Sequence, residues 1–254
     1  MPGYDDHVRW ALSTAVEGFD FTPVAGRVID GPLPWDYRAL ARRAVAEATG
    51  PVLDLGTGGG EFLAGLGPFP PGSAATEGWP PNVHLARATL APHGVRLHAL
   101  PPEHATRLPL PDATFAVVLD RHEDYDPAEV ARVLAPGGVF LTQQVGSTDG
   151  TRLNGALGGP GPDVPEGVAL APFAAGLTRA GLNVERAEEH EQGRTFTDIG
   201  AVIWYLRMVA WQIPDFDVAR YDAPLRGLHA AFERGEQFRD VAPRFVLAAR
   251  RPAR

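Results

Sequence analysis

Val52-Leu53-Asp54-Leu55 runs directly into Gly56-Thr57-Gly58-Gly59-Gly60-Glu61, so a short apolar segment ends in a turn made almost wholly of glycine. A turn this rich in glycine lets backbone approach a ligand closely, because no Cβ intrudes and positive φ costs little. At the carboxyl edge of an α/β sheet, such a strand-to-helix turn is where nucleotide-like cofactors sit. The spacing narrows the choice. A dinucleotide fold wants G-x-G-x-x-G, whose third glycine packs the helix against the strand beneath a pyrophosphate. Gly56 and Gly58 fit the first two places, but Glu61 stands at the third and puts a carboxylate where phosphate would lie. A nicotinamide-dependent oxidoreductase is therefore disfavoured.

Strands and helices alternate along the chain as βαβ units of a doubly wound, mostly parallel α/β sheet require. Helical apolar spacing covers residues 4–19 and 34–48, the second ending at Gly50. Strands read at 51–55, 73–77, 95–99, 115–119, 139–145, 182–190 and 244–249, which makes seven. Phe115-Ala116-Val117-Val118-Leu119 is almost continuously apolar, as expected of a strand covered on both faces. Further helices are expected near 81–91, 127–134, 171–180, 197–210 and 223–234, while the Gly/Pro-rich stretch 146–167 reads as loop.

A chain of 254 residues that is 44% hydrophobic can build one sizeable core, or one core with a lid. With no cysteine there is no disulfide, thiol nucleophile or thiolate metal site. The polar N-terminus shows no signal peptide, and no apolar run approaches the roughly 20 residues that span a bilayer. The expectation is a cytoplasmic protein with no membrane partner. A formal charge of -8 argues against a nucleic-acid surface, which needs a basic face. The eight histidines show no metal-ligand spacing, so no metal site is expected.

The run Asp54-Leu55-Gly56-Thr57-Gly58-Gly59-Gly60, D-x-G-x-G-x-G, resembles motif I of the class I S-adenosylmethionine (SAM) dependent methyltransferases. Leu108-Pro109-Leu110-Pro111-Asp112 and Arg132-Val133-Leu134-Ala135-Pro136-Gly137-Gly138 are similar to the LPF-x-D and R-V-L-K-P-G-G segments of its small-molecule members. The resemblance covers roughly residues 50–145. It implies a single domain over 1–254 with a Rossmann-like, seven-stranded sheet: an N-terminal helical cap at 1–49, a SAM-binding core at 50–145, and a C-terminal half at 146–254 with a helical lid near 196–235. It also implies SAM as cofactor, bound through Asp54, Gly56, Thr57, Gly58, Gly60, Glu77, Gly78, Trp79 and Asp120. Glu77 follows Asp54 by 23 residues at a strand end, where an acid accepts hydrogen bonds from ribose hydroxyls, and Trp79 would flank the adenine. Many relatives carry an Asp in the loop before the position of Leu108; this chain has Glu103-His104 there, and Glu103 takes that adenine-binding place.

Asp120-Arg121-His122-Glu123-Asp124-Tyr125 crowds ionisable groups at a strand exit that opens on the ligand crevice. Methyl transfer from a sulfonium chiefly requires alignment of acceptor and methyl. A base is needed only if the acceptor must lose a proton, and His122 suits that task. Arg121 can grip a substrate or cofactor carboxylate. The competing reading is local: Asp124 and Asp126 before Pro127 are helix-capping acids. Gln143 and Gln144, at the end of a strand on the same rim, either line the acceptor pocket or face solvent. Trp204 and Tyr205 lie on a helix apolar nearly all round, which must be buried or cover something, a substrate site or plain core.

The overall expectation is a methyltransferase acting on an O, N or C atom of a small molecule. Two rivals share the fold: an enzyme that uses the sulfonium for cyclisation or alkyl transfer, and a SAM-binding partner protein without catalysis.

Overall fold

The computed structural model describes residues 2–16, 20–100, 107–159, 161 and 169–253, so Glu103 lies outside the described residues. The described strands are β1 (Val28–Asp30), β2 (Val52–Leu55), β3 (Ala74–Glu77), β4 (Arg96–Ala99), β5 (Phe115–Arg121), β6 (Leu134–Val145), β7 (Asn183–Phe196) and β8 (Phe238–Arg250). By its contacts the chain forms two compact units.

One unit comprises residues 34–144, 169–189 and 245–254. Its centre is a run of parallel strands in the order β6-β5-β2-β3-β4, with β8 next to β6 and β7 next to β8. Every residue of β2 is buried, Asp54 included, as expected of a strand with both faces covered. Leu55 lies in register with Asp120, so the glycine turn after β2 and the acidic exit of β5 leave the sheet side by side. Helix α2 (Tyr37–Ala46) starts later than its apolar spacing suggests, because the Asp36 carboxylate accepts the Ala39 N–H at 3.0 Å and fixes the first turn. Helix α5 (Pro127–Val133) is capped by Asp126 on Ala128 N–H at 2.8 Å, with Pro127 at its first position. Asp124 instead closes a local turn on Tyr125 N–H. Strand β6 begins at Leu134 rather than 139; the Pro136-Gly137-Gly138 stretch lies inside it, where the pairing with β5 shifts between Phe115 and Val117.

Arg132 explains why two of the motif segments occur together. Its guanidinium donates to Leu108 O at 3.1 Å, Leu110 O at 2.8 Å and the Asp112 carboxylate at 2.6 Å, while also pairing with Glu129. The Leu108–Asp112 segment is thereby tied to α5. Those residues hold the scaffold.

The other unit comprises residues 1–33, 145–168 and 190–244. Helix α1 (Tyr4–Ser13) stops before the expected residue 19, with the Thr14 N–H and Oγ1 both donating to Trp10 O. Helix α8 (Ile199–Met208) is buried at nine of its ten positions and forms the centre of this unit's core. The stretch expected as loop contains α6 (Thr151–Leu157), whose Arg152 N–H is accepted by the Asp240 carboxylate at 3.1 Å. That cap comes from 88 residues away, so no local signal marks the helix. Strand β1 pairs antiparallel with the end of β7, Val28 opposite Phe196, and raises the strand count from the expected seven to eight. At three residues it is too short to show a period. No described helix is long and apolar enough to cross a membrane.

Candidate active site

Gly56, Gly58 and Gly60 take φ of 57°, 62° and 87°, all in the left-handed region that glycine enters at little cost. The space beside the Gly58 Cα is open, whereas Glu61 curls its carboxylate against Gly59. Thr57, buried, donates its N–H to Thr76 O at 2.9 Å and ties the turn to β3.

Glu77 ends β3 buried. One of its carboxylate oxygens accepts Gly58 N–H at 2.7 Å and the other accepts Trp79 N–H at 2.8 Å. This one side chain therefore sets the distance between the glycine turn and the Gly78-Trp79 bend. Each oxygen keeps a second lone pair for a hydroxyl donor. Trp79 is 48% exposed, a large apolar face left at the surface beside that carboxylate.

Asp54 and Asp120 stand on neighbouring strands, both buried. Burial pushes the Asp54 carboxyl up to about 7, and the same cause holds Asp120 well above the usual carboxylate range. Asp120 Oδ1 accepts the Glu123 N–H at 3.2 Å and the Gln144 side-chain amide at 3.1 Å, but Oδ2 is buried with no hydrogen-bond partner. Protonated or not, an oxygen so placed lacks a partner that burial normally demands.

The loop after Asp120 is held from β6. The Gln144 amide donates to Asp120, to Glu123 O at 2.9 Å and to Thr142 Oγ1 at 3.0 Å. The Gln143 carbonyl accepts His122 N–H at 2.9 Å, its side-chain nitrogen lies 3.3 Å from His122 Nε2, and its side-chain oxygen accepts the Trp35 indole N–H at 2.8 Å. Neither glutamine faces solvent: Gln144 pins the loop and Gln143 links Trp35 to His122. His122 itself adopts φ 69°, rare outside glycine and a mark of functional sites when the surroundings enforce it. Arg121 lays its guanidinium 4.4 Å from the Phe62 ring centre, and Arg38 lies over the same ring at 4.8 Å. Tyr37 stacks on Phe62 and donates its hydroxyl to Asp120 O at 2.7 Å. Glu123 folds over Gly56, in the volume a Cβ there would take.

Trp35, Tyr37 and Phe62 carry no motif, and only the fold brings them to the β5 exit. Trp204 and Tyr205 belong to the other unit. Trp204 is fully buried and donates to Ala15 O at 3.1 Å, and Tyr205 is hydrogen-bonded to Arg194 within that core.

No protein-family model matches the chain, and no curated protein matches it in sequence. Solved structures do. A candidate methyltransferase of Bacillus halodurans superposes with a TM-score of 0.59 at 18% identity, over 85% of this chain and 98% of its own. The YcgJ protein of Bacillus subtilis gives the same values. The [4+2]-cyclase SpnF matches at 0.59 and 18% identity over 100% of this chain and 97% of its own. The chain has the class I methyltransferase fold. At this identity the likeness speaks for the fold, and the site must speak for the chemistry.

Proposed function

We propose that the chain is a SAM-dependent methyltransferase acting on a small molecule. The observation that carries this reading is the buried Asp120 Oδ2, left without a partner beside a turn of three left-handed glycines. It suits the ammonium of an amino-acid-bearing cofactor and does nothing for a pyrophosphate. Glu77 has lone pairs to spare for ribose hydroxyls, the space beside Gly78 is open, and the exposed Trp79 face suits a flat base. The residues that would hold SAM are thus Asp54, Gly56, Thr57, Gly58, Gly60, Glu77, Gly78, Trp79 and Asp120.

SAM bound there supplies an electrophilic methyl group. The protein's share of the work is alignment, which can account for several kcal/mol of a barrier when donor and acceptor are held in line. Arg121, fixed over Phe62, offers a planar donor pair to a carboxylate. His122 is held at both its backbone and its ring by Gln143 at the β5 exit. An acceptor with an O, N or C nucleophile fits these parts.

A second reading stays in view, since a structural neighbour that covers 100% of this chain is a [4+2]-cyclase. Mass spectrometry of the protein incubated with SAM and a small-molecule extract separates the two. S-adenosylhomocysteine together with a product heavier by one methylene unit supports methyl transfer. Methylthioadenosine above background overturns it in favour of attack at another sulfonium carbon. SAM binding with neither product points to a partner protein, or to a cyclisation that leaves SAM unconsumed.

A further inference from the structure

Trp35, Gln143 and His122 make a directional chain whose sense is fixed by one end. An indole nitrogen can only donate. The Gln143 side-chain group at 2.8 Å from Trp35 Nε1 is therefore its carbonyl oxygen, which removes the usual ambiguity between the two ends of an amide. The other end is then the NH2 group, and it lies 3.3 Å from His122 Nε2. An NH2 group can only donate, so Nε2 must accept. An accepting ring nitrogen carries no hydrogen, and in a neutral imidazole the single proton then resides on Nδ1.

We propose that Trp35 and Gln143 are positioning residues that hold His122 as the neutral Nδ1–H tautomer, so that its ring serves as a hydrogen-bond donor and not as a base. The backbone keeps the ring beside the same partner. His122 N–H donates to the Gln143 carbonyl at 2.9 Å, and with φ at 69° the residue is held at two points by one partner. To take up a proton at Nε2 the ring would have to face an NH2 group donor to donor. Expelling that group would in turn strand a buried amide whose oxygen Trp35 already holds. A proton on Nε2 is thus opposed by the geometry of two other residues.

The consequence for the substrate rests on the reading of this site as a methyltransferase centre. A group engaged by a His122 ring nitrogen must present a lone pair to Nδ1–H, such as a carbonyl, hydroxyl or amine. Its nucleophilic atom must also arrive already deprotonated or in no need of deprotonation by His122. Acceptors with a weakly acidic hydroxyl and no other means of ionising are excluded.

The test needs no cofactor, so its outcome is separate from that of the SAM reading. The full chain, labelled with 15N at histidine, is observed by long-range 1H–15N correlation at pH 7.5, with His122→Gln identifying the His122 signals. The expected result is an unprotonated Nε2 and a protonated Nδ1. Gln143→Glu replaces the donor by a carboxylate and should move the proton to Nε2. Trp35→Phe frees the amide to rotate and should give a mixture of tautomers. A wild-type ring protonated at Nε2, or averaged between the two forms, overturns the proposal. An unchanged tautomer in Trp35→Phe also overturns it, since Trp35 is what orients the amide. Should Gln143→Glu fail to fold, the wild-type and Trp35→Phe spectra decide.

Discussion

Around Arg194 two guanidiniums meet two carboxylates, whereas around Asp120 two carboxylates are buried with no ion-paired cation among the described residues. Arg194 pairs with Asp30 at 2.7 Å and reaches Asp149 at 3.5 Å, and Arg244 pairs with Asp149 at 3.0 Å. Tyr205 completes the Arg194 shell. Near the glycine turn, burial holds both carboxyls above the usual carboxylate range, the charges of Glu123 and Asp54 add to it at Asp120, and Asp120 Oδ2 has no partner. Both clusters pay the desolvation cost of burying charge. The first recovers it within the protein, so it is built for structure. In the second, Thr57 and Arg121 offset part of the cost at Asp54 while Asp120 Oδ2 stays unpartnered, which supports the proposed cofactor site.

The sharpest way to break this contrast is to remove the central cation of the matched cluster. Arg194→Met strips Asp30 and the buried Tyr205 hydroxyl of their partner and leaves Asp149 with Arg244 alone. Loss of one partner of a buried pair costs about 3–5 kcal/mol, or roughly 10 °C in melting temperature for a chain this size. Calorimetry showing a change under ~2 °C would mean the cluster is not the structural element described.

Acidity tests the unmatched cluster next. The folded state holds the Asp54 proton to about 7, against 3.8 when unfolded. The native form therefore binds more protons between those values, and stability conferred at low pH is lost as pH rises through 7. Asp54 should account for up to about 4 kcal/mol of that loss in the ligand-free protein. Asp54→Asn should flatten the fall in melting temperature between pH 5 and 8. An equally steep fall in the variant would assign the effect elsewhere.

The smallest effect concerns binding. Asp120→Asn removes the charge that an ammonium would meet, which is worth about 1.5–3 kcal/mol, so SAM affinity should drop roughly 10- to 100-fold by titration calorimetry. Melting temperature should change little, because burial already favours the uncharged form of Asp120 and the amide keeps its shape. A variant that binds SAM normally but unfolds early would place Asp120 with Arg194 as a structural group.

How far these two clusters could be read in advance differs for a simple reason. Asp54, Gly56, Gly58, Gly60, Glu77 and the Asp120–Tyr125 run are visible because strand ends and turns impose local residue types. Arg194, Asp149, Asp30 and Arg244 are ordinary charged residues in the sequence. Their pairing depends on contacts 164 and 95 residues apart. Gln143 and Gln144 were legible as polar residues at a strand end, but not as the two residues that hold the His122 loop. Trp204 and Tyr205 were legible as apolar and their burial followed. That they are bound to Ala15 and Arg194 within their own core was not.

Local steric rules were enough to settle the alternating strands and helices, the left-handed glycine turn and the Asp126 cap, since each depends on neighbours within a few residues. Tertiary structure alone decided the eighth strand, the α6 helix capped by Asp240 and the Trp35–Gln143–His122 relay. The physical reason is that a hydrogen bond between distant residues leaves no period or spacing in the chain. It exists only once the sheet has set β5 against β6 and brought the groups within 3 Å or so of each other.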